Sequence, residues 1–413
     1  MKSDEPSTGT GTGTGTSTGT STSASTSTST STSTSTSTST STSTSTSTED
    51  DGSGQGGARA VTAGWVRPVE GVRINWPRRI AVIWLVWLAW LLALTTAPMT
   101  LLLAGLADLV LRGGRGLRFA RVRALLALGW VLTCEVGGVM LATWMWCARW
   151  LLFPGRERWL EANATLQRWW TGALWRGAVR IFSLRVETEG LDAAAPGPYA
   201  LMVRHASTVD TVLAAALLAN PRRLRFRYVL KRELLWDPCL DIVGNRLPNL
   251  FAQRGGGEAA REREVAAVAR LAAGMGPRDA VLIYPEGTRF SQGKLRQAVD
   301  RLRAGVDEAL AERAARLRRV LPPRPGGPLA LLGVTPALDV VMLAHTGLEG
   351  ATSLGDLWRG GLVGATVRVK VWRIPAADVP AEPEARLGWL FDRWLEVDQW
   401  IQTVQANSSW APK

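Results

Sequence analysis

Residues with metal-binding or redox chemistry are few in this sequence of 413 residues. It has three cysteines, Cys134, Cys147 and Cys239, and no two of them stand at the spacing of metal ligands. This argues against a zinc finger and against a disulfide framework, so no metal site is expected. Histidine occurs only as His205 and His345. Any imidazole chemistry must therefore use one of these two rings.

Lysine is also scarce, so the excess of positive charge is carried mainly by arginine. There are 48 Lys and Arg against 35 Asp and Glu, which gives a formal net charge of +13. A basic balance can indicate nucleic acid, an anionic membrane or anionic substrates. The sequence contains no recognition helix, zinc finger or RNA-binding motif, and its arginines flank long apolar runs. The charge therefore favours lipid headgroups over nucleic acid.

Residues 1–60 have almost no large apolar side chains. The stretch 7–48 consists almost entirely of Ser, Thr and Gly, a composition that offers no apolar surface to offset the entropy lost on ordering. It also lacks the proline of glycosylated stalks and the basic and apolar parts of a signal peptide. We expect a disordered tail over residues 1–60.

Two long apolar runs follow the tail. Residues 80–97 are apolar except for two threonines, the run resumes after Pro98 up to residue 111, and a second run at 124–148 is interrupted by Glu135. About 20 residues of helix cross the hydrocarbon of a bilayer. The segment 61–155 is therefore predicted to form membrane-anchoring helices, arranged as a hairpin, in preference to a buried hairpin of a soluble protein.

Two features of this segment bear on its position in the membrane. Arginines stand before, between and after the two runs, whereas two full spans would place the middle group on the side opposite both flanks. A hairpin that re-enters near Pro98 would remove part of this conflict, and the sequence leaves both arrangements open. Thirteen of the 20 tryptophans lie between Trp65 and Trp175, which is typical of the headgroup boundary. Residues 159–179 fit either an interfacial helix or a helix packed on the next domain.

Beyond residue 180 the pattern alternates between strands and helices. Strands are predicted at 181–189, 199–204, 226–230, 280–284, 334–344 and 365–372, and helices at 208–219, 258–273, 295–320 and 384–404. The apolar run 280–284 is of the kind found in buried strands. The alternation predicts an α/β domain over residues 156–413, with a mixed, largely parallel sheet flanked by helices.

One of the two histidines stands in a pattern that indicates acid–base chemistry. His205 ends an apolar strand, and Asp210 follows five residues later at the start of a helix. If Asp210 accepts a hydrogen bond from one ring nitrogen, the other nitrogen becomes a base able to activate a hydroxyl. The same residues also fit a helix cap, because Ser207 and Asp210 form the S-x-x-D pattern of a capping box. No motif surrounds His345, which is interpreted as structural.

A second pattern predicts an anion site. The buried strand at 280–284 runs into Pro285, Glu286, Gly287, Thr288 and Arg289. An arginine, a threonine and main-chain N–H groups at the end of a sheet strand are suited to hold a phosphate. An ordinary turn with a surface arginine has the same composition, and this alternative stays open.

The order of these and other blocks resembles the glycerolipid acyltransferase superfamily, of the 1-acylglycerol-3-phosphate acyltransferase type. HASTVD at 205–210 is followed by KREL at 231–234, FAQR at 251–254, YPEGTRFS at 284–291 and VTPA at 334–337. Later stretches resemble the longer branch that contains the lysophosphatidic acid and lysocardiolipin acyltransferases. Arg204 departs from the family pattern, which usually has Asn before the histidine, and this puts the acceptor preference rather than the chemistry in question.

The resemblance implies transfer of a fatty acyl group to the free hydroxyl of a lysophospholipid, above all 1-acylglycerol-3-phosphate. The donor would be acyl-CoA or acyl-carrier protein as co-substrate, with no other cofactor. His205 would be the general base, oriented by Asp210. The acceptor phosphate would contact Arg254, Glu286, Gly287, Thr288 and Arg289.

The resemblance also implies a setting and alternatives. The partners would be membrane lipids and the two substrates, and the catalytic domain would be anchored at a membrane, on its cytoplasmic side. One alternative is a different acceptor, such as lysocardiolipin. The other is a non-catalytic, membrane-anchored lipid-binding protein.

Overall fold

The computed structural model describes residues 74–111, 118–252, 257–305, 307–334 and 337–407. They belong to one compact unit of the chain, Val61–Lys413. The tail predicted at 1–60 lies outside the described residues, as do Arg254 and the threonine and proline of the VTPA block.

A seven-stranded sheet lies at the centre of this unit. Its order is β1-β7-β6-β2-β5-β3-β4, and every neighbouring pair is parallel except β6 with β7. The strands are β1 (Arg185–Glu189), β2 (Tyr199–Val203), β3 (Arg225–Lys231), β4 (Leu250–Ala252), β5 (Asp279–Ile283), β6 (Asp339–Thr346) and β7 (Thr366–Ile374). This confirms the predicted mixed, largely parallel sheet.

The central strand β2 shows why the sheet is covered on both faces. All five of its residues are buried. Tyr199, Leu201 and Val203 pack into one hydrophobic cluster, while Ala200 and Met202 pack into the other. Successive side chains of a strand point to opposite faces, so a strand buried on both faces needs a helical layer on each.

Helices supply these two layers. One face is covered by α4 (Arg156–Phe182) and by a continuous helical stretch made of α5 (Asp210–Ala214), a π-helical segment (Ala215–Ala219) and α6 (Asn220–Arg222). The opposite face is covered by α7 (Gly257–Leu271), α8 (Gln292–Arg303), α9 (Glu308–Arg316), α10 (Gly326–Leu332) and α12 (Pro383–Asn407). The short α11 (Leu354–Trp358) follows the end of β6.

Several element boundaries differ from the sequence predictions. The helix predicted at 295–320 is two helices, because Asp307 begins a new one by accepting a hydrogen bond from Leu310 N at 2.9 Å. The strand predicted at 181–189 begins only at Arg185, since α4 continues to Phe182 and ends at Ser183 with a φ of 54°. The three-residue β4 and the helix α10 were not predicted.

The two apolar runs form antiparallel neighbours α1 (Trp76–Val110) and α2 (Ala120–Cys147), followed by the single turn α3 (Arg149–Leu152). Trp90 Nε1 donates to Thr133 Oγ1 at 3.1 Å between them. Both helices are long and apolar enough to cross a membrane. Of the two arrangements that the sequence leaves open, a hairpin turning at Pro98 does not fit the structure, because α1 is one helix with Pro98 inside it.

Helix α2 lies along the α/β layers over most of its length. Near its start, Arg123 NH1 donates to Ser183 Oγ at 2.9 Å. In its middle, Trp130 Nε1 donates to Ala173 O at 2.9 Å, and near its end Ala142 O accepts from Arg246 NH1 at 3.1 Å. The hairpin therefore runs beside the α/β layers instead of projecting away from them.

The α4 segment, for which two interpretations were open, packs on this unit. Trp159, Trp170 and Trp175 are buried, while Trp169 is 41% exposed. The tryptophans of α4 therefore belong mainly to the protein core.

Candidate active site

His205 lies at the edge of the sheet where the parallel strands end. One residue, Arg204, separates it from the end of β2. The turn after β5 reaches the same edge because β2 and β5 are parallel neighbours. Phe290 N donates to His205 O at 2.9 Å, which ties that turn to the histidine. The sheet thus brings together two sequence blocks that are separated by about 75 residues.

His205 and Asp210 are in contact. The His205 Nδ1 to Asp210 Oδ1 distance is 3.0 Å, and the histidine side chain is 12% exposed. The second oxygen, Oδ2, accepts from Ala206 N at 2.6 Å and Ser207 N at 2.7 Å. Asp210 therefore holds the imidazole and also satisfies main-chain donors at the helix start. Ser207 does not close an S-x-x-D box, since its Oγ accepts from Val209 N.

The protonation of this pair follows from its surroundings. Burial opposes the ionisation of Asp210, but hydrogen bonds with His205 and His345 outweigh it, so the pKa of the carboxyl lies well below its ordinary value. An ionised carboxylate can only accept hydrogen bonds. In the neutral ring Nδ1 of His205 therefore carries the proton and Nε2 is an acceptor, which is the form that a general base requires.

His345 is also part of this arrangement, although no sequence motif marks it. Its ring is fully buried, and its Nε2 lies 3.0 Å from Arg204 O and 3.5 Å from Asp210 Oδ2. A carbonyl only accepts, so Nε2 carries the proton here. The two histidines therefore hold opposite tautomers on either side of one carboxylate. Only the pairing of β2 with β6 brings His345 to this place.

Arg204, the residue that departs from the family pattern, is buried behind the histidine at 1% exposure. Its NH1 donates to Glu349 Oε1 at 2.5 Å and to His345 O at 2.6 Å, and its NH2 donates to Arg319 O at 2.9 Å. Burial would raise the pKa of Glu349, but the charge of Arg204 and its hydrogen bond lower it to about 2. Arg204 therefore ties the strand end at His205 to the segment that follows β6.

Glu286 lies inside the turn and does not face the open side of the site. It is 1% exposed, and its Oε1 and Oε2 accept from His205 N at 2.8 Å and Leu321 N at 2.9 Å. Burial raises its pKa to about 8, although the two N–H donors and Arg204 act in the opposite direction. Glu286 was predicted to contact an acceptor phosphate, and this is corrected: its carboxyl group is turned inward and positions the main chain at His205.

The other turn residues, Gly287, Thr288 and Arg289, are partly exposed. Gly287 has a φ of +64°, which favours glycine. Arg289 NH1 donates to Thr208 Oγ1 at 2.6 Å and to Thr352 O at 2.9 Å. Thr288 Oγ1 accepts from Lys294 Nζ at 3.1 Å, so a cation that was not predicted lies beside Thr288 and Arg289. The structure does not describe Arg254, and its predicted role stays a prediction.

The comparisons with known proteins agree with this geometry. Residues 185–312 match the protein-family model Acyltransferase. This central part of the chain is therefore similar to the Acyltransferase family. No match was found among curated proteins. A solved structure similar to this chain is the 1-acyl-sn-glycerophosphate (LPA) acyltransferase PlsC from Thermotoga maritima, with 14% identity, a TM-score of 0.42, and coverage of 67% of this chain and 98% of that chain. At this level of similarity the structure carries no argument about activity.

The acyltransferase match is consistent with the resemblance that the sequence blocks show. The matched region includes His205, Asp210 and the turn at 286–289, whereas His345 and Glu349 lie beyond it. Within the described ranges, no group of three or more His, Cys, Asp or Glu side chains is placed to hold a metal ion.

Proposed function

We propose that this acyltransferase moves a fatty acyl group from a thioester to the free hydroxyl of a lysophospholipid. The donor is acyl-CoA or acyl-carrier protein, and the first acceptor to test is 1-acylglycerol-3-phosphate, which would give phosphatidic acid. The observation that carries this proposal is the His205–Asp210 pair at 3.0 Å, with Nε2 of the ring left as an acceptor inside an acyltransferase domain.

The reaction proposed for this site is a direct transfer. As the acceptor hydroxyl oxygen attacks the thioester carbonyl, Nε2 of His205 takes its proton, and the resulting imidazolium is stabilised by Asp210. The tetrahedral intermediate then collapses, the carbon–sulfur bond breaks, and the imidazolium proton passes to the thiolate. Base assistance of this kind contributes about 10²- to 10⁴-fold to the rate.

The acceptor's phosphate would be held beside the histidine by Arg289. Only NH1 of its guanidinium has a recorded partner in the described part of the chain, and Thr208 and Thr352 fix its position. The remaining N–H donors are suited to phosphate oxygens, which a planar guanidinium binds in pairs. Lys294 adds a second positive charge nearby. Arg254 would contribute as the family resemblance implies.

The hairpin supports an arrangement at a membrane. Its helix α2 has 28 residues, which corresponds to about 42 Å at 1.5 Å per residue. Because α2 contacts the α/β layers from Arg123 to Ala142, a full crossing of the bilayer would take those polar layers into the hydrocarbon. We therefore propose that the hairpin is embedded in one leaflet and brings the site to lysolipid at the surface, with the catalytic domain on the cytoplasmic side.

The test is acyl transfer by membranes that contain the full-length protein. Labelled acyl-CoA is offered with 1-acylglycerol-3-phosphate, lysocardiolipin or lysophosphatidylcholine, and the lipid products are separated. We expect a product from the wild type and none from His205→Ala. The control for expression and handling is Arg301→Ala. Arg301 is exposed on α8, which covers the face of the sheet opposite to the one covered by α5 and its Asp210.

Each outcome of this assay decides between the functions considered above. If only lysocardiolipin gives a product, lysocardiolipin and not 1-acylglycerol-3-phosphate is the acceptor. Absence of product with every lysolipid, together with lysolipid binding, would establish a non-catalytic lipid-binding protein. Equal activity of wild type and His205→Ala would contradict the proposed mechanism.

A further inference from the structure

Four arginines from three parts of the chain converge where the hairpin meets the rest of the protein. Arg78 and Arg79 begin α1, and both contact the same buried carboxylate, with Arg78 NH2 3.0 Å from Asp241 Oδ1 and Arg79 Nε 2.9 Å from Asp241 Oδ2. Arg149 follows α2, and Arg246 precedes β4. We call this group the hairpin-base arginines.

Two of these arginines have no acidic partner among the residues that the structure describes. The guanidinium carbons of Arg149 and Arg246 each lie 5.1 Å from the centre of the Trp159 ring, and that of Arg149 lies 5.2 Å from the ring of Trp150. Arg246 also donates to Ala142 O at 3.1 Å. In the part of the chain that the structure describes, no ion pair of either arginine with a carboxylate is recorded. Stacking on aromatic rings positions both charges without neutralising them.

The cluster carries an excess of positive charge. Burial lowers the pKa of Arg246 to about 10, and the positive charges of Arg79 and Arg149 contribute to this shift. The carboxyls of Asp237 and Glu135 hydrogen-bond each other, and in the described residues neither forms an ion pair with these arginines. In the described residues the four arginines share one paired carboxylate, that of Asp241, so positive charge is in excess and a bound phosphate would reduce the repulsion.

The surface around the cluster indicates where such an anion would come from. Trp150 is 84% exposed and Leu151 is 83% exposed, and Trp76, against which Arg79 stacks, is exposed as well. These side chains continue into the exposed apolar surface of α1. Tryptophan beside arginine at the end of an apolar helix is typical of the lipid headgroup level. A ligand at this place would therefore have an acyl part in the bilayer and a charged part at the arginines.

We propose that the hairpin-base arginines bind the phosphate of an anionic membrane phospholipid, at a site separate from the acyl-transfer site. Arg246 precedes β4, the edge strand of the sheet, whereas His205 follows β2, which lies three strands away in the order β2-β5-β3-β4, so the two sites are separated across the sheet. The bound lipid would be a resident partner that fixes the hairpin base at the bilayer surface. This proposal does not depend on which reaction the His205 site performs.

The test measures which lipid the purified full-length protein retains. Protein in nonionic detergent is mixed with equal amounts of dioctanoyl phosphatidylglycerol and dioctanoyl phosphatidylcholine, and native mass spectrometry gives the ratio of the two bound forms. We expect the wild type to prefer phosphatidylglycerol. Each arginine charge should contribute about 1 kcal/mol to binding the anionic lipid, so the ratio should fall about 30-fold in Arg149→Gln/Arg246→Gln. Arg149→Gln alone should lower it about fivefold.

Two controls make the result decisive. Arg301→Gln/Arg316→Gln removes the same charge from exposed positions on α8 and α9 and should leave the ratio unchanged. Because the side chain of Arg149 makes no hydrogen bond within the described residues, Arg149→Gln should also unfold at the wild-type temperature. Equal retention of the two lipids by the wild type, or equal ratios in the cluster and control variants, would overturn the proposal. Complete displacement by millimolar inorganic phosphate would assign the site to a soluble anion instead.

Discussion

Replacing Asp210 by Asn separates its two roles, because the amide can perform one of them and not the other. Its oxygen can accept from Ala206 N and Ser207 N, as Oδ2 does at 2.6 and 2.7 Å. Its NH₂ group then stands where Oδ1 was, 3.0 Å from Nδ1 of His205. A donor at that position forces Nδ1 to accept, so the ring proton moves to Nε2 and the general base is lost.

The expected magnitudes follow from these contacts. Asp210→Asn should lower the acyl-transfer rate about 10²- to 10⁴-fold, while stability falls only by the loss of one charge-assisted bond, about 1.5–3 kcal/mol. Asp210→Ala should be as inactive and less stable than Asp210→Asn. It leaves the N–H groups of Ala206 and Ser207 unpaired, at about 1–3 kcal/mol each. Asp192→Asn, at a fully exposed position, is the matched control.

The assay exploits the fact that the chain has only two histidines. In protein labelled with ¹⁵N-histidine, the wild type should show one ring protonated at Nδ1, His205, and one protonated at Nε2, His345. In Asp210→Asn both rings should be protonated at Nε2, and rates and unfolding are measured on the same preparation. If His205 keeps its Nδ1 proton in Asp210→Asn and full activity is retained, the reasoning about this site is refuted.

Three further outcomes are expected. Arg204→Asn, which introduces the residue usual in the family that the sequence resembles, should destabilise the fold by about 1.5–3 kcal/mol in chemical denaturation, because it removes a charge-assisted bond to the part-buried Glu349 carboxylate; unchanged unfolding would contradict a contribution of this pair. Glu286 has a folded pKa of about 8 against 4.5 when exposed, so its contribution to stability is present below pH 4.5 and falls by about 1.4 kcal/mol per pH unit as the pH rises toward 8. Glu286→Gln should remove that slope, and an identical pH profile would show that Glu286 does not titrate there. Gly287→Ala places a Cβ at a φ of +64° and 2.9 Å from Arg324 Cδ; a stability loss of about 1–2 kcal/mol is expected, and a gain would refute the strained turn.

The fold could be predicted where a pattern is local and repeated. The buried strands β2 and β5 are short apolar runs, and the alternation of strands with helices indicates a parallel sheet. Boundaries were missed where tertiary contacts decide them. Strand β4 has only three residues, which is too short for a periodic signal. The break between α8 and α9 depends on the single cap at Asp307.

The candidate site could be predicted in its contiguous parts only. His205 and Asp210 are five residues apart, so their contact follows from one strand-to-helix turn. His345 reaches Asp210 through the pairing of β6 with β2, and Glu349 reaches Arg204 from the same later segment. Such pairings join residues more than 130 positions apart and leave no trace in local composition. Glu286 was assigned to the correct turn, but its inward direction depends on Leu321 N.

The close fit of α2 against its neighbours limits how this protein could be made soluble. A Cβ at Gly177 would collide with the Trp130 ring, and one at Gly138 would come within 2.5 Å of Cys239 Sγ. Removing the chain before residue 156 would therefore uncover these glycine-lined surfaces as well as the buried Asp241. A shortened protein for crystallisation or screening should retain α1 and α2, and its solubility is better sought by replacing the outward leucines of α1, such as Leu88 and Leu102.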